Sequence, residues 1–168
     1  MAKERISRER YAELVQGGKA RYYRTAYCYV KNEHDALDII GEAALRGLRS
    51  LGSLENSEYF DTWMTRIVIN AAIDHIRRAS RRAECGDEAL ESVAADEGAL
   101  DADTSLDLYA ALDVLNERDK SCVILRYFED RTFSEIADIL GEPEPTIKSR
   151  LYRSLNKMRA HMEGETAR

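Results

Sequence analysis

Residues 142–154, EPEPTIKSRLYRS, combine side chains that suit the binding of nucleic acid. Four basic and two hydroxyl residues recur there and just beyond at helical spacing: Lys148, Arg150, Arg153 and Lys157, with Thr146 and Ser149 between them. Basic side chains bind phosphates, and hydroxyl groups hydrogen-bond to phosphates or base edges. The pattern predicts a DNA-binding helix whose basic residues point outward, although a solvated basic face on a bundle helix has the same composition.

The preceding residues provide an element that can position this helix. Thr132 and Glu135 have the spacing of a capping box, which opens a helix over Phe133–Leu140 that ends at Gly141. A second helix begins at about Pro143, because the first turn of a helix tolerates proline. Two short helices joined by a glycine turn predict a helix-turn-helix, whose second helix enters the major groove.

A second constellation lies in EYFDTWMTRIVINAAIDHIRRASRR, residues 58–82. One predicted helix face carries Trp63, Arg66, Asn70, Asp74 and Arg77 at steps of three or four. An aromatic ring can stack on an unpaired base, an amide can read a base edge and arginine can bind phosphate. The alternative is a basic amphipathic helix in which Trp63 belongs to the core.

The run DALDIIGEAALRGLRSL, residues 35–51, is acidic and apolar rather than basic. Acidic residues recur at helical spacing beside Ile39 and Leu45, which predicts a helix facing a protein partner or a solvated acidic face. We expect Leu37, Ile40, Ala44 and Leu48 to share one face of this helix. The acidic residues are Asp35, Asp38 and Glu42.

The charge distribution divides the chain into two units. Residues 1–82 have a net charge of +4, from 15 basic and 11 acidic residues, whereas residues 83–107 hold nine acidic and no basic residues. We expect domains at 1–82 and 106–168, joined by a flexible acidic linker at 83–105. Period-2 alternation is lacking and helical periodicity recurs, so the fold class is all-α, with Gly17 and Gly18 interrupting the first helix and later helices at about 35–49, 57–78 and 106–115.

Several other classes of protein are disfavoured. The apolar runs are far shorter than the roughly 20 residues of a membrane span, and the charged N-terminus does not resemble a signal peptide. Three scattered cysteines fit a reducing cytoplasm. Neither a nucleophile–base pair nor a metal-ligand cluster is apparent, so we expect a cytoplasmic protein without catalysis, metal, cofactor, small-molecule substrate or direct membrane insertion.

Both halves together resemble the extracytoplasmic-function (ECF) group of bacterial RNA polymerase sigma factors. The segments YYRTAYCYVKNEHDALDII and YFDTWMTRIVINAAIDHIRR resemble the family's polymerase-binding and −10 regions. The segment LDVLNERDKSCVILRYFEDRTFSEIADILGEPEPTIKSRLYRSLNKMR resembles its −35-binding domain. The resemblance implies a factor that binds core RNA polymerase and promoter DNA, helps to open the duplex, and is held inactive by an anti-sigma factor.

The resemblance also implies roles for individual residues. Contacts to core polymerase would come from Asp35, Asp38, Ile39, Ile40, Glu42 and Leu45. The −10 element would meet Trp63, Arg66, Asn70, Asp74, Arg77 and Arg78, and a flipped base would enter the loop of Asn56, Ser57, Glu58 and Tyr59. The −35 element would meet Pro145, Thr146, Lys148, Ser149, Arg150 and Arg153.

The sequence departs from the family pattern at Gly41, where glutamine is usual, and near Gly47, where larger residues are usual. We expect these glycines to weaken the polymerase contact or to shape it for a particular partner. Two other functions stay open. One is a helix-turn-helix regulator that acts without being a polymerase subunit, and the other is a protein-binding module that mimics a sigma factor.

Overall fold

The structure is a computed structural model that describes residues 5–86 and 102–166, with side chains from 107 to 164 in the second range. These residues form helices and turns without a strand, which confirms the all-α prediction. The chain divides into two compact units, residues 1–94 and 95–168. Most of the predicted linker lies outside the described residues. No helix in the described ranges is long and apolar enough to cross a bilayer.

Three helices build the N-terminal unit, and each pair of them is in contact. They are α1 (Arg8–Val30), α2 (Glu33–Ser50) and α3 (Phe60–Glu84). Ser7 caps α1 by accepting from the backbone N–H of Arg10, and Asn32 caps α2 by accepting from Asp35. Two turns of 3₁₀-helix, Leu51–Ser53 and Ser57–Tyr59, connect α2 to α3.

The prediction that Gly17 and Gly18 interrupt the first helix is wrong, because α1 continues through both. A Cβ atom on Gly18 would lie 2.6 Å from the ring of Tyr22, which is buried in the core. Glycine at this position makes room for the aromatic ring. The propensity cost of about 1 kcal/mol at Gly18 is therefore offset by packing that a local pattern does not reveal.

The core of this unit combines aromatic residues with small ones. The Tyr11 hydroxyl donates to the backbone carbonyl of Ala44 at 2.7 Å, and burial raises the pKa of Tyr11 to about 12. Tyr11 also contacts Phe60 edge-on. On α2 the buried residues are Ala36, Ile39, Ile40, Ala43 and Gly47. Small residues let α2 approach its neighbours closely, and the leucines of α2 lie on its solvent-exposed side.

Four helices build the C-terminal unit: α4 (Ala102–Asp113), α5 (Glu117–Val123), α6 (Phe133–Leu140) and α7 (Glu144–Thr166). Asn116 caps α5 by accepting from the backbone N–H of Asp119 at 2.9 Å. A turn of π-helix, Ile124–Phe128, extends α5. Ile124, Leu125, Ile136, Ile139 and Leu151 are buried in its core. The N-terminus of α4 lies four residues before the predicted start.

Candidate functional site

The helix-turn-helix is formed by α6, a glycine turn and α7. Thr132 and Glu135 form both hydrogen bonds of the capping box, and Gly141 adopts the left-handed conformation with φ 67°. The carbonyl of Pro143 accepts the first helical bond of α7 from Ile147 at 3.1 Å. Pro145 therefore occupies the second helical position, where no intrahelical N–H bond is required. The predicted position of both prolines at the start of this helix is confirmed.

The exposed face of α7 is basic, hydroxylic and aromatic. Ile147, Leu151 and Ser154 are buried against the rest of the unit. The solvent-exposed residues include five in its first three turns: Thr146, Lys148, Ser149, Tyr152 and Arg153. Tyr152, with 62% of its area exposed, was not among the predicted contact residues. Its spacing of four from Lys148 and three from Ser149 was the signal that could have identified it.

Glu144 at the start of α7 forms an ion pair with Lys148 at 3.1 Å. Both side chains are about half exposed, and the two residues are one helical turn apart. Such a pair contributes only about 0.3–0.5 kcal/mol, so phosphate can displace Glu144 from Lys148 at small cost. Glu144 therefore lowers the positive charge of this face until a stronger anion competes.

Arg150 does not point outward, and the prediction that it does is wrong. Its guanidinium donates to Asp119 at 3.1 Å and to Glu142 at 2.9 Å, and only 15% of its side chain is exposed. Burial opposes its charge, yet the hydrogen bonds to Glu142 and Asp119 raise its pKa above the ordinary value. Arg150 thus joins α7 to the N-terminus of α5 and to the turn, because these buried carboxylates require a cation.

A cationic cluster that the sequence analysis missed lies beside the N-terminus of α6. The Arg126 guanidinium lies 4.8 Å from the ring centroid of Phe133, and the Lys148 ammonium lies 5.3 Å from it. Arg126 also donates to the carbonyl of Arg131 at 2.9 Å. One ring thus holds two cations from separate elements near a helix N-terminus, an arrangement that favours an anion such as phosphate.

The predicted base-facing residues of α3 fall into two groups. Arg66, Asn70, Arg77 and Arg78 are exposed, whereas Trp63 is half-buried with its ring centroid 5.8 Å from that of Phe60. Asp74 accepts from Arg46 of α2 at 2.7 Å. These six side chains therefore do not form one uniform exposed surface.

The connection before α3 forms a compact turn. Asn56 accepts from the backbone N–H of Glu58 at 3.0 Å, which orders the turn Ser57–Tyr59. Tyr59 is one of the most exposed large aromatic residues of the described chain. The helix predicted at about 57–78 begins at Phe60 instead, and Asn56 caps the turn that precedes it.

The exposed face of α2 differs from the predicted one. Ile39 and Ile40 are buried in the unit and do not belong to its exposed face, so their assignment as polymerase contacts stays a prediction. Three leucines of α2 are exposed to solvent instead: Leu37 is 44% exposed, Leu45 51% and Leu48 39%. Leu45 was predicted to contact a partner, whereas Leu37 and Leu48 were placed on a face with Ile40. The error arose because the packed face of α2 consists largely of alanine and glycine.

The acidic residues of α2 are partly engaged within the unit. Glu42 accepts from Arg46 at 2.9 Å, and Asp38 is exposed. Burial raises the pKa of Asp35, but a hydrogen bond from Asn32 and the neighbouring His75 hold that pKa below its usual value. The atoms of His34, Asp35 and Asp38 that could ligate a metal ion lie within 4.8 Å of one another. These mutual contacts account for the cluster without a bound ion.

Gly41 and Gly47 occupy opposite faces of α2. A Cβ atom on Gly41 would meet nothing within 4 Å, and the residue is exposed between Leu37 and Leu45. A Cβ atom on Gly47 would lie 2.3 Å from the Tyr11 hydroxyl and 3.2 Å from the Met64 sulfur. Gly47 therefore serves the internal packing, and only Gly41 changes the outer face.

Comparison with known proteins links both units of the chain to one family. Residues 14–82 match the family model for sigma-70 region 2, and residues 111–160 match that for sigma-70 region 4. RNA polymerase sigma factor SigV of Bacillus subtilis is 37% identical over 165 residues, which covers 98% of each protein. ECF RNA polymerase sigma factor SigW of the same organism is 30% identical, and the alignment covers 96% of this chain and 97% of SigW.

The fold is shared with a solved structure, that of sigma factor RpoE in complex with the anti-sigma factor NepR from Bartonella quintana. The TM-score is 0.74 at 20% sequence identity, and the match covers 91% of this chain and 96% of that one. The chain belongs to the ECF group of sigma-70 factors, the non-catalytic proteins that direct promoter-specific initiation by RNA polymerase.

Proposed function

We propose that the two units divide the work of this sigma factor, with residues 1–82 binding core polymerase and the −10 element and residues 106–168 binding the −35 element. The observation that carries the proposal is the contrast between two exposed faces. Three leucines on α2 face solvent, whereas α7 exposes Lys148, Tyr152 and Arg153. Apolar surface of this kind indicates a protein partner, and a basic aromatic face indicates nucleic acid.

Core polymerase would bind the outer face of α2, which is defined here as Leu37, Asp38, Gly41, Leu45 and Leu48. Bare backbone at Gly41 allows close approach between the two leucines that flank it. Burying three half-exposed leucines contributes favourable free energy in proportion to their apolar area. Asp38, on the same helix, adds a charge that a basic partner can bind.

The −10 element would meet α3 and the turn before it. Arg66, Asn70, Arg77 and Arg78 are exposed on α3 and offer the contacts expected for a separated strand. Trp63 and Asp74 support this surface through Phe60 and Arg46, and direct contact to DNA is not needed for that role. The turn of Ser57–Tyr59 would receive one unstacked base.

The −35 element would lie against the outer face of α7. Lys148, Ser149, Tyr152 and Arg153 would enter the major groove, and Arg126 beside Phe133 would bind a flanking phosphate. Arg150 would act by holding α7 on α5. Thr146 and Pro145 at the first turn would direct the helix N-terminus toward DNA.

An anti-sigma protein is the further partner that we propose. The RpoE of Bartonella quintana was solved in complex with the anti-sigma factor NepR. A protein that covers the outer face of α2 would compete directly with core polymerase. We place the activity in the cytoplasm, where core polymerase and DNA meet, and assign no catalysis to the chain itself.

Run-off transcription tests the division of work. Core polymerase, with and without the protein, is given a library of templates with randomised −35 and −10 elements. We expect promoter-specific transcripts only with the protein present, and conserved bases in both elements. Removal of the −35 sequence should lower the yield while leaving start-site selection. Tight binding of the free protein to duplex DNA without such transcripts would instead favour an independent regulator.

A further inference from the structure

The ion pair of Glu144 and Lys148 presents an acceptor and a donor side by side at the start of α7. The Lys148 ammonium lies 3.1 Å from a carboxylate oxygen of Glu144, and both side chains are about half exposed. The same ammonium lies 5.3 Å from the ring centroid of Phe133, which restricts its position from the side of α6. The two charged groups therefore form one unit that another molecule can contact as a whole.

The major-groove edge of a base pair also carries two polar groups side by side. In a G·C pair they are the keto oxygen O6 of guanine, which accepts, and the amino group N4 of cytosine, which donates. These two atoms are hydrogen-bonded to each other across the pair, so they lie about 2.9 Å apart. The ion pair has a similar separation, 3.1 Å, and the opposite polarity. Lys148 and Glu144 can therefore contact both groups of one base pair at the same time.

This contact distinguishes the four base pairs. A T·A pair presents a keto oxygen and an amino group in the same order as G·C, whereas C·G and A·T present them in reverse. An ammonium only donates and an ionised carboxylate only accepts, so both contacts become repulsive in the reversed pairs. Guanine adds N7 as a second acceptor for Lys148, where thymine has a methyl group. The ranking is therefore G·C, then T·A, then the two reversed pairs.

The position of the ion pair on α7 suits contact with bases. Glu144 is the first residue of the helix, and Lys148 lies one turn later. The N-terminal residues of a recognition helix are the ones that contact base edges in the major groove. Two ligands compete for Lys148: a phosphate that displaces Glu144, or a base pair that contacts both side chains. Only the second ligand keeps the ion pair intact.

We propose that Glu144 and Lys148 together read one base pair of the −35 element, with a keto base (guanine or thymine) facing Lys148 and an amino base (cytosine or adenine) facing Glu144. The inference rests on the proposed binding of the −35 element by the C-terminal unit. It adds Glu144 to that surface as a specificity-determining residue and gives Lys148 a defined partner on the DNA.

The test is transcription by holoenzyme, reconstituted from core polymerase and full-length protein, on templates with a fixed −10 element and a fully randomised −35 element. The transcripts are counted by template to give the base preference at each position. We expect wild type to prefer guanine, then thymine, at one position of one strand. Glu144→Gln should lower the ratio of keto to amino bases there by about tenfold, because a neutral amide both donates and accepts. The other positions should not change.

Two further variants sharpen the result. The double change Glu144→Lys with Lys148→Glu reverses the polarity of the ion pair and should invert the ranking at the same position, so that cytosine and adenine are enriched. General damage to the helix does not produce such an inversion. Glu163→Gln makes the same chemical change at an exposed residue near the other end of α7, and its base preferences should equal those of wild type.

The outcomes separate this inference from the function on which it rests. If Glu144→Gln raises the transcript yield equally on all templates and leaves every base ratio unchanged, Glu144 only repels phosphates and the inference is overturned alone. If wild type shows no base preference at any −35 position, the proposed role of the C-terminal unit fails, and the inference fails with it.

Discussion

Helices α2 and α7 both expose a face to which we assign a partner, yet the two faces differ in how readily the sequence shows them. On α7, Lys148 and Arg153 have to reach solvent or an anion because burying an unpaired charge is costly. On α2 the exposed residues are leucines, which a periodicity argument assigns to the core. An apolar outer face is therefore hard to recognise in the sequence when the packed face of its helix consists largely of alanine and glycine.

The largest effect is expected from Leu45→Arg on α2. This change should weaken binding to core polymerase by about 30-fold or more, because it places a charge in an apolar contact. Stability should change by no more than about 0.5 kcal/mol, since Leu45 is 51% exposed. Fluorescence anisotropy with labelled protein and core polymerase measures the affinity. Tyr152→Ala on α7 is the control and should retain the wild-type affinity for core polymerase. If Leu45→Arg also retained that affinity, α2 would be excluded as the polymerase face.

Arg150→Ala should destabilise the C-terminal unit by about 1–2 kcal/mol, because Asp119 and Glu142 would lose their most buried cation and keep only Lys157 and Arg118, whose side chains are more than half exposed. Arg153→Ala, three residues later on the exposed face, should change stability by less than about 0.5 kcal/mol. Hydrogen–deuterium exchange of the full chain, read over α5 and α7, distinguishes the two. If Arg150→Ala keeps wild-type protection but loses −35 recognition, Arg150 reads DNA directly and its assigned structural role is wrong.

Gly47→Ala and Gly41→Ala should have opposite effects on the N-terminal unit. The first places a Cβ atom 2.3 Å from the Tyr11 hydroxyl and should destabilise the unit by about 1–2 kcal/mol. The second adds helix propensity in open space and should stabilise it by about 0.5–1 kcal/mol. Denaturant unfolding followed by the fluorescence of Trp63 measures both. Destabilisation by Gly41→Ala would mean that its surroundings are more crowded than the helix geometry indicates.

The smallest effect concerns pH and Glu135. The hydrogen bond from the Thr132 backbone N–H lowers the pKa of Glu135 in the folded state. The resulting stabilisation is present above the ordinary glutamate value of 4.5 and is lost as pH falls through the lowered folded value. Because the side chain is 44% exposed, the contribution should be only a few tenths of a kcal/mol. The slope of stability against pH should decrease in Glu135→Gln, as unfolding monitored by circular dichroism would show.

Local signals in the sequence were sufficient where the interaction joins near neighbours. The capping box of Thr132 and Glu135 and the turn at Gly141 involve residues within one helical turn of each other. Their geometry follows from residue type and spacing alone. The helix-turn-helix was therefore predictable, and so was the exposure of the basic residues of α7 other than Arg150.

Local patterns in the sequence did not predict contacts whose partners are distant along the chain. Arg150 meets Asp119, 31 residues earlier, so its burial is not visible in the basic pattern of α7. The cation cluster of Arg126 and Lys148 requires Phe133 to lie between elements. None of these contacts has a periodicity of its own.

Local patterns in the sequence predicted the all-α class, the acidic segment between two units and the residue types expected to recognise DNA and a protein partner. These properties follow from local propensity and charge, which act along the chain. Tertiary packing determined which side of α2 faces outward and that Arg150 pairs with Asp119 and Glu142 instead of facing solvent. The physical reason is that burial depends on which surfaces the packed helices leave open, and those surfaces combine residues far apart in sequence.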